Sequence, residues 1–248
     1  MKLEKATVLI IGGSAGIGLE IAKAFARLDA TVIITGRDDN RLQAIGTSLR
    51  NAVAIPFDVN NEEEVKRLTE RVTREFPRLN ILVNNAGLAH TYVIAAGSRA
   101  WEKAAEEMQT NYLAVLRTTE LFLPLLEKQP EAAIVNVSSI GAIAPNIRRL
   151  TYSASKAAVH SYTQGLRLVL RDTRIKVFEL MPPLVATDFS RAAGETTGIP
   201  PELVANELLD AMRNDRFEIH VGRTAQIYEL TKKSTTAAVN AVNGIKED

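Results

Sequence analysis

Thr7-Val-Leu-Ile-Ile11-Gly12-Gly-Ser-Ala-Gly16-Ile-Gly18 decides the fold class. Its first five residues offer no alternating polar face, so they read as a strand buried on both sides, as strands of parallel sheets are. The glycine cluster ends that run, and Ile17, Ile21, Ala24, Phe25 and Leu28 then recur at helical spacing. Strand, tight turn and amphipathic helix are the opening of a βαβ unit. Gly12-x-x-x-Gly16-x-Gly18 in the turn brings backbone N–H groups and a helix N-terminus to where a pyrophosphate can sit. Glycine is needed there because a Cβ would block the approach or the φ > 0 turn. Glycine-rich turns are common; the place of this one, after the first strand of an alternating chain, is what favours a dinucleotide.

The alternation continues outward from this unit. Thr31–Thr35, Val53–Phe57, Ile81–Val83, the run ending at Ser139, Ile175–Leu180 and Phe217–Val221 read as further strands. Pro56 suits an edge position for the third. Between them, Asp38 or Asp39 caps a helix, 62–76 reads as a charged surface helix, and a long helix from about Trp101 to Lys128 carries Asn111 with only Pro124 interrupting it. Another helix runs from about Tyr152 to Asp172, and Pro200-Pro201 opens one more. Residues 188–199 look like a mobile loop, and the polar stretch from about Lys232 is either a partner-packing helix or a frayed tail. Strands alternating with helices imply a parallel sheet covered on both faces. Ligands of such sheets bind beyond the carboxyl ends of the strands. Gly12–Gly18, Arg37, Asp58, Asn84–Gly87, Ser139 and Pro182 all follow strands directly and are therefore expected on one rim.

Composition narrows the function classes. The 248 residues fit one large α/β domain or two small ones. Thirty basic against 29 acidic side chains give a net charge of +1, which argues against nucleic acid or an anionic membrane as partner. With no cysteine there is neither a disulfide framework nor a thiolate metal site, and His90, His160 and His220 are too scattered for a local metal motif. No apolar run reaches the ~18 residues of a membrane span, and Met1-Lys-Leu-Glu-Lys5 leads into a strand and not a signal segment. A cytoplasmic protein is the expectation.

The chemistry is expected between Ser139 and Lys156. Tyr152 and Lys156, four apart, share one face of a helix with Cβ atoms about 5–6 Å apart. A phenol titrating near ~10 is a poor acid-base at neutral pH; a nearby ammonium would stabilise the phenolate and lower that value. Ser139 could hold a substrate oxygen beside the phenol. This set suits proton transfer at an alcohol or carbonyl oxygen while hydride moves elsewhere, and it lacks the nucleophile–base pair of a hydrolase. On its own, Tyr and Lys at this spacing is more often a packed ring and a snorkelling stem; the preceding cofactor elements give it force. At the second strand end an NAD site would call for a carboxylate, whereas Gly36-Arg37 suits a 2′-phosphate, so NADP(H) is preferred and NAD(H) stays open. Asp38 lies twenty residues past Gly18 and is read as a helix cap. Asp58 could bond an adenine amino group or simply cap its turn. Arg148 and Arg149 could attract an anionic substrate or be an ordinary solvated pair. His90 reads as a surface residue, His160 as packing, and Ser138 as loop support.

Together these residues resemble the short-chain dehydrogenase/reductase superfamily across nearly the whole chain. Gly12, Gly16 and Gly18 match its glycine motif, Asn84-Asn-Ala-Gly87 its Asn-Asn-Ala-Gly motif, and Tyr152/Lys156 its Tyr-x-x-x-Lys pair. Pro182-Pro183 with a short C-terminal region is similar to the DltE-like branch. The resemblance implies a single Rossmann-type doubly wound domain over 1–248, with seven parallel strands in the order 3-2-1-4-5-6-7, and a substrate region near 188–215. It implies Asn111, Ser139, Tyr152 and Lys156 as the catalytic set: Tyr152 handles the proton, Ser139 positions the substrate oxygen, Lys156 also holds the nicotinamide ribose, and Asn111 binds a water in a proton relay. It further implies cofactor contacts from Ser14, Ile17, Val59, Asn85, Ala86, Pro182, Val185 and Thr187, a small carbonyl or alcohol substrate, and a homodimer or homotetramer. Three departures are visible: Ile11 replaces the usual threonine before the glycine motif, Pro183 the usual glycine, and Ala15 the basic residue of many NADP-using members.

Overall fold

The computed structural model describes residues 1–192, 194, 195 and 197–246. Residues 193, 196, 247 and 248, parts of the expected substrate loop and tail, lie outside the described residues. β1 (Thr7–Ile11), β2 (Thr31–Gly36), β3 (Ala52–Pro56), β4 (Ile81–Asn84), β5 (Ala132–Val137), β6 (Ile175–Met181) and β7 (Glu218–His220) form one parallel sheet in the order β3-β2-β1-β4-β5-β6-β7. Alternation along each strand splits the apolar side chains between two cores. Val8 and Ile10 pack with Val32, Ile34, Val83 and Val135 on one face, under α1 (Gly16–Ala26) and α8 (Pro201–Arg213). Leu9 and Ile11 pack with Ile33, Leu82 and Ile134 on the other, under α3 (Glu62–Glu75) and α5 (Ala114–Leu126). Burial on both faces explains why these strands are uniformly apolar. Pro56 ends the edge strand, exposed, where a missing N–H costs no ladder bond.

The remaining helices are α2 (Asp39–Ser48), α4 (Ala100–Met108), α6 (Leu150–Val169), α7 (Asp188–Arg191), α9 (Arg223–Lys233) and α10 (Thr235–Asn243). Three of them correct the sequence expectation. The helix expected over 101–128 is α4 and α5 joined by a π-helical turn, Gln109–Leu113. That turn, not Pro124, is the interruption: Pro124 lies inside α5. The expected loop at 188–199 contains the short α7, held by a reciprocal cap between Thr187 and Ser190. The stretch from Lys232 ends α9 and forms the whole of α10, whose Ala238 is fully buried against Ala144 and Ile227 of the same chain. Asn243 donates from its amide to the Pro145 carbonyl (2.9 Å) and accepts from the Ile147 N–H (2.9 Å). The end of the chain thus braces the loop between Ser139 and Tyr152.

Candidate active site

Every strand end expected on one rim borders a single cleft of about 840 Å³. Its walls carry Gly12, Ser14, Gly16 and Ile17 from the first turn, Arg37 after β2, Asp58 and Val59 after β3, and Asn85, Ala86 and Gly87 after β4. Ser139, Tyr152, Lys156, Pro182, Val185 and Thr187 complete it. Gly18 and Asn111 lie just behind the surface.

The glycine turn is built for close approach. Gly12 has φ +83°, and a Cβ there would meet Ala86 backbone atoms at 2.9 Å. A Cβ on Gly18 would meet the Gly12 carbonyl oxygen at 2.1 Å. The Asn85 amide holds that same carbonyl at 2.6 Å, tying the turn to the end of β4. The walls therefore converge on the N-terminus of α1, where the glycines carry no side chain and the Thr187 methyl group faces Gly16; this cradle fits the pyrophosphate of a dinucleotide. At the far end Arg37 is exposed, while Asp38 accepts from the Arg41 N–H (3.0 Å) as the N-cap of α2. Arg41, which the sequence reading passed over, pairs with Asp188 across the cleft at 2.6 Å. Asp58 accepts from the Asn60 N–H, capping its own turn, and also lines the cleft.

At the other end, Tyr152 and Lys156 lie one turn apart on α6. Lys156 is 4 % exposed, and its ammonium lies 5.8 Å from the Tyr152 ring centroid and donates to the Val137 carbonyl at 2.8 Å. Burial lowers the Lys156 pKa to about 8, with the Glu179 carboxylate acting the other way. The expectation for Tyr152 is corrected in direction. Burial raises its pKa, and the Ser139 hydroxyl and the Arg149 charge only partly offset this. Ser139 itself is fixed by the N–H of Gly141, which donates to its Oγ at 3.1 Å. Asn111 is fully buried in the π turn; both its amide hydrogens are used, on the Leu88 carbonyl (2.8 Å) and Ser155 Oγ (2.8 Å), and its Oδ1 accepts from the Leu88 N–H. The side chain therefore ties the β4 loop to α6.

Several functional neighbours were not anticipated. Glu179, fully buried in β6, accepts from the Ser138 hydroxyl and pairs with His160 Nδ1 at 2.9 Å. Ser138 and His160, read as loop support and packing, meet on this one carboxylate. A glutamate inside an apolar strand was the available signal, since such a residue is almost never buried unpaired. Glu107, one turn before Asn111 and fully buried, accepts from the His90 N–H at 2.7 Å. His90 points outward to Glu106.

Comparison with known proteins agrees with this geometry. Residues 6–198 match the family model for short chain dehydrogenases. The chain is 37 % identical over 237 residues to a protein described as the uncharacterized oxidoreductase DltE of Bacillus subtilis strain 168, covering 94 % of each chain. A short chain dehydrogenase from Burkholderia cenocepacia J2315, solved with NADP, superposes with a TM-score of 0.85 at 27 % identity, covering 97 % of this chain and 98 % of that one. The 3-ketoacyl-(acyl-carrier-protein) reductase from Brucella melitensis, solved with NADH, does so with a TM-score of 0.79 at 27 % identity over 85 % and 91 % of the two chains. The family match over residues 6–198 and the 37 % identity to DltE, borne by a chain whose doubly wound sheet puts a glycine turn and a Tyr–Lys pair on one cleft, make it a member of the short-chain dehydrogenase/reductase superfamily, in its DltE-like branch.

Proposed function

We propose that the protein is an NADP(H)-dependent oxidoreductase that interconverts a carbonyl and a primary or secondary alcohol, with Tyr152 as the proton donor or acceptor. The observation that carries this is the placing of Ser139, Tyr152 and Lys156 on the wall of the same cleft as the glycine turn. The nicotinamide, when bound, supplies or accepts hydride. Ser139 holds the substrate oxygen toward the phenol. Burial keeps Tyr152 protonated at neutral pH, so in the reductive direction it is ready to donate to the forming alkoxide. Lys156 lies close enough to stabilise the phenolate left behind. Asn111 holds the Leu88 loop and α6 in place with both amide hydrogens, and its Oδ1, which accepts from the Leu88 N–H, keeps a second lone pair to which a relay water can donate.

Preference for NADP(H) rests on Arg37 and on the engagement of Asp38 as a helix cap. NADP in the Burkholderia cenocepacia neighbour supports it, while NADH in the Brucella melitensis one keeps NAD(H) usable. The same proposal covers residues 1–248 as one dinucleotide-binding domain with its substrate region near 188–215, a cytoplasmic setting, and a homodimer or homotetramer. Among the described residues no helix is long and apolar enough to cross a membrane.

Tyr152→Phe keeps the ring and removes the hydroxyl. On any carbonyl the wild type reduces, turnover should fall by about 10²–10⁴ while NADPH still binds. Near wild-type turnover would overturn the mechanism. A chain that binds NADPH but consumes none with a panel of aldehydes and ketones would instead be a non-catalytic nucleotide-binding protein.

A further inference from the structure

The adjacent arginines before α6 do not share a setting. Arg148 is exposed and outside the cleft lining. Arg149, at the N-cap of α6, is 13 % exposed at its side chain and lines the cleft with Ser139 and Tyr152. Its Nη2 is buried and makes no hydrogen bond among the described residues. The nearest carboxylate, Glu195 Oε1, stands 3.9 Å away, which is ion-pair range without a hydrogen bond. A guanidinium cannot shed its proton, so this is a permanent, under-satisfied cation facing the space a substrate must enter. Its charge reaches the reacting phenol, whose pKa it lowers. The N-terminus of the 20-residue α6 adds to the positive potential, because its first turn holds no acidic residue and its cap makes no side-chain bond.

We infer that Arg149 anchors a carboxylate on the substrate, so that the enzyme acts on hydroxy acids and the corresponding oxo acids in preference to neutral alcohols and carbonyls. The inference rests on the oxidoreductase function proposed above and specifies its substrate class. A planar carboxylate matches the guanidinium fork with two hydrogen bonds. One guanidinium already facing one carboxylate suits a singly charged group better than a dianion. Glu195, 38 % exposed at its side chain, holds the arginine until the substrate displaces it. The carboxylate takes no part in the bond changes; it fixes the distance from the anchor to the carbon that exchanges hydride.

The test uses straight-chain hydroxy acids with the hydroxyl α, β or γ to the carboxylate, each beside its methyl ester. They are oxidised with whichever of NADP⁺ or NAD⁺ binds more tightly. The readout is the acid-to-ester ratio of kcat/KM, which cancels any effect of Arg149 on the tyrosine common to both substrates. The wild type should favour the best acid by about 10- to 100-fold, the range of a hydrogen-bonded charged pair. Arg149→Met should bring the ratio close to one. Arg149→Lys, which keeps the charge and loses the fork, should leave an intermediate ratio, and Glu195→Gln should tighten the acid by removing its competitor. Equilibrium binding of the same acids to the cofactor-loaded protein is measured alongside. A wild type that turns over esters as well as acids, an Arg149→Met that keeps the preference, or no acid binding to the loaded protein would each overturn the anchor. Arg149-dependent acid binding without turnover of any acid or ester would support the anchor and overturn the oxidoreductase function instead.

Discussion

Arg37 and Asp38 are adjacent, carry opposite charges and follow the strand end where a ribose would lie, so cofactor choice turns on which one faces it. Asp38 already spends an oxygen on the first turn of α2, whereas Arg37 projects from the end of β2 into the cleft wall. Arg37→Ala should therefore weaken NADPH by about 10- to 100-fold and NADH far less, as loss of a hydrogen bond to a charged group implies. Titration of both cofactors checks this; equal losses, or a wild-type preference for NADH, would show that Asp38 serves the ribose. Asp38→Ala should cost about 1 kcal/mol of stability by removing a helix cap, with the ratio of the two cofactor affinities unmoved. Thermal unfolding beside the same titrations separates the two outcomes.

On the scale of elements, α6 presents Tyr152, Lys156 and His160 on successive turns of one face, and β6 meets that face with Glu179. Hydrogen bonding to the Glu179 carboxylate raises the pKa of His160 above its ordinary 6.5, against burial and the Arg167 charge. A histidine whose folded pKa lies above its unfolded value stabilises the fold fully below the unfolded pKa and loses that contribution as pH rises through the folded one. His160→Gln should thus be less stable than the wild type by about 1–2 kcal/mol below pH 6.5, and the gap should narrow as pH rises. Unfolding curves across that range test it, and a gap that widens with pH would mean the pair is not charged in the native state. The π turn is the second element-scale feature. It sets Asn111 so that one side chain grips both backbone groups of Leu88, while Glu107 one turn earlier grips His90. Together they hold the loop after β4, whose Leu88 lines the cleft.

For the whole molecule, the outer faces of the two long helical segments carry exposed apolar side chains. Leu168 and Val169 on α6 are 66 % and 77 % exposed, and Leu113 and Leu121 on the other segment are 43 % and 39 % exposed. Apolar side chains displayed in this way on neighbouring helices are surfaces that a second copy can cover. Sedimentation at micromolar concentration should give a dimer or tetramer, and Leu168→Glu with Val169→Lys should shift it toward monomer. A wild-type monomer would remove the assembly from the proposal.

The features legible in the sequence are those with a local cause. Uniformly apolar five-residue runs, the glycine spacing and the four-residue step from Tyr152 to Lys156 each follow from backbone geometry within a few residues, and the strand order came with the family likeness. Tertiary structure decided the rest. Glu179 meets Ser138 41 residues away and His160 19 residues away, and Asn243 braces a loop 98 residues earlier; no local period encodes such contacts. Arg148 and Arg149 are indistinguishable as letters, yet one faces solvent and the other the cleft. The direction of the Tyr152 shift was likewise out of reach. Spacing placed an ammonium near the phenol, but desolvation depends on how many elements close over the ring, and here it outweighs every neighbouring charge.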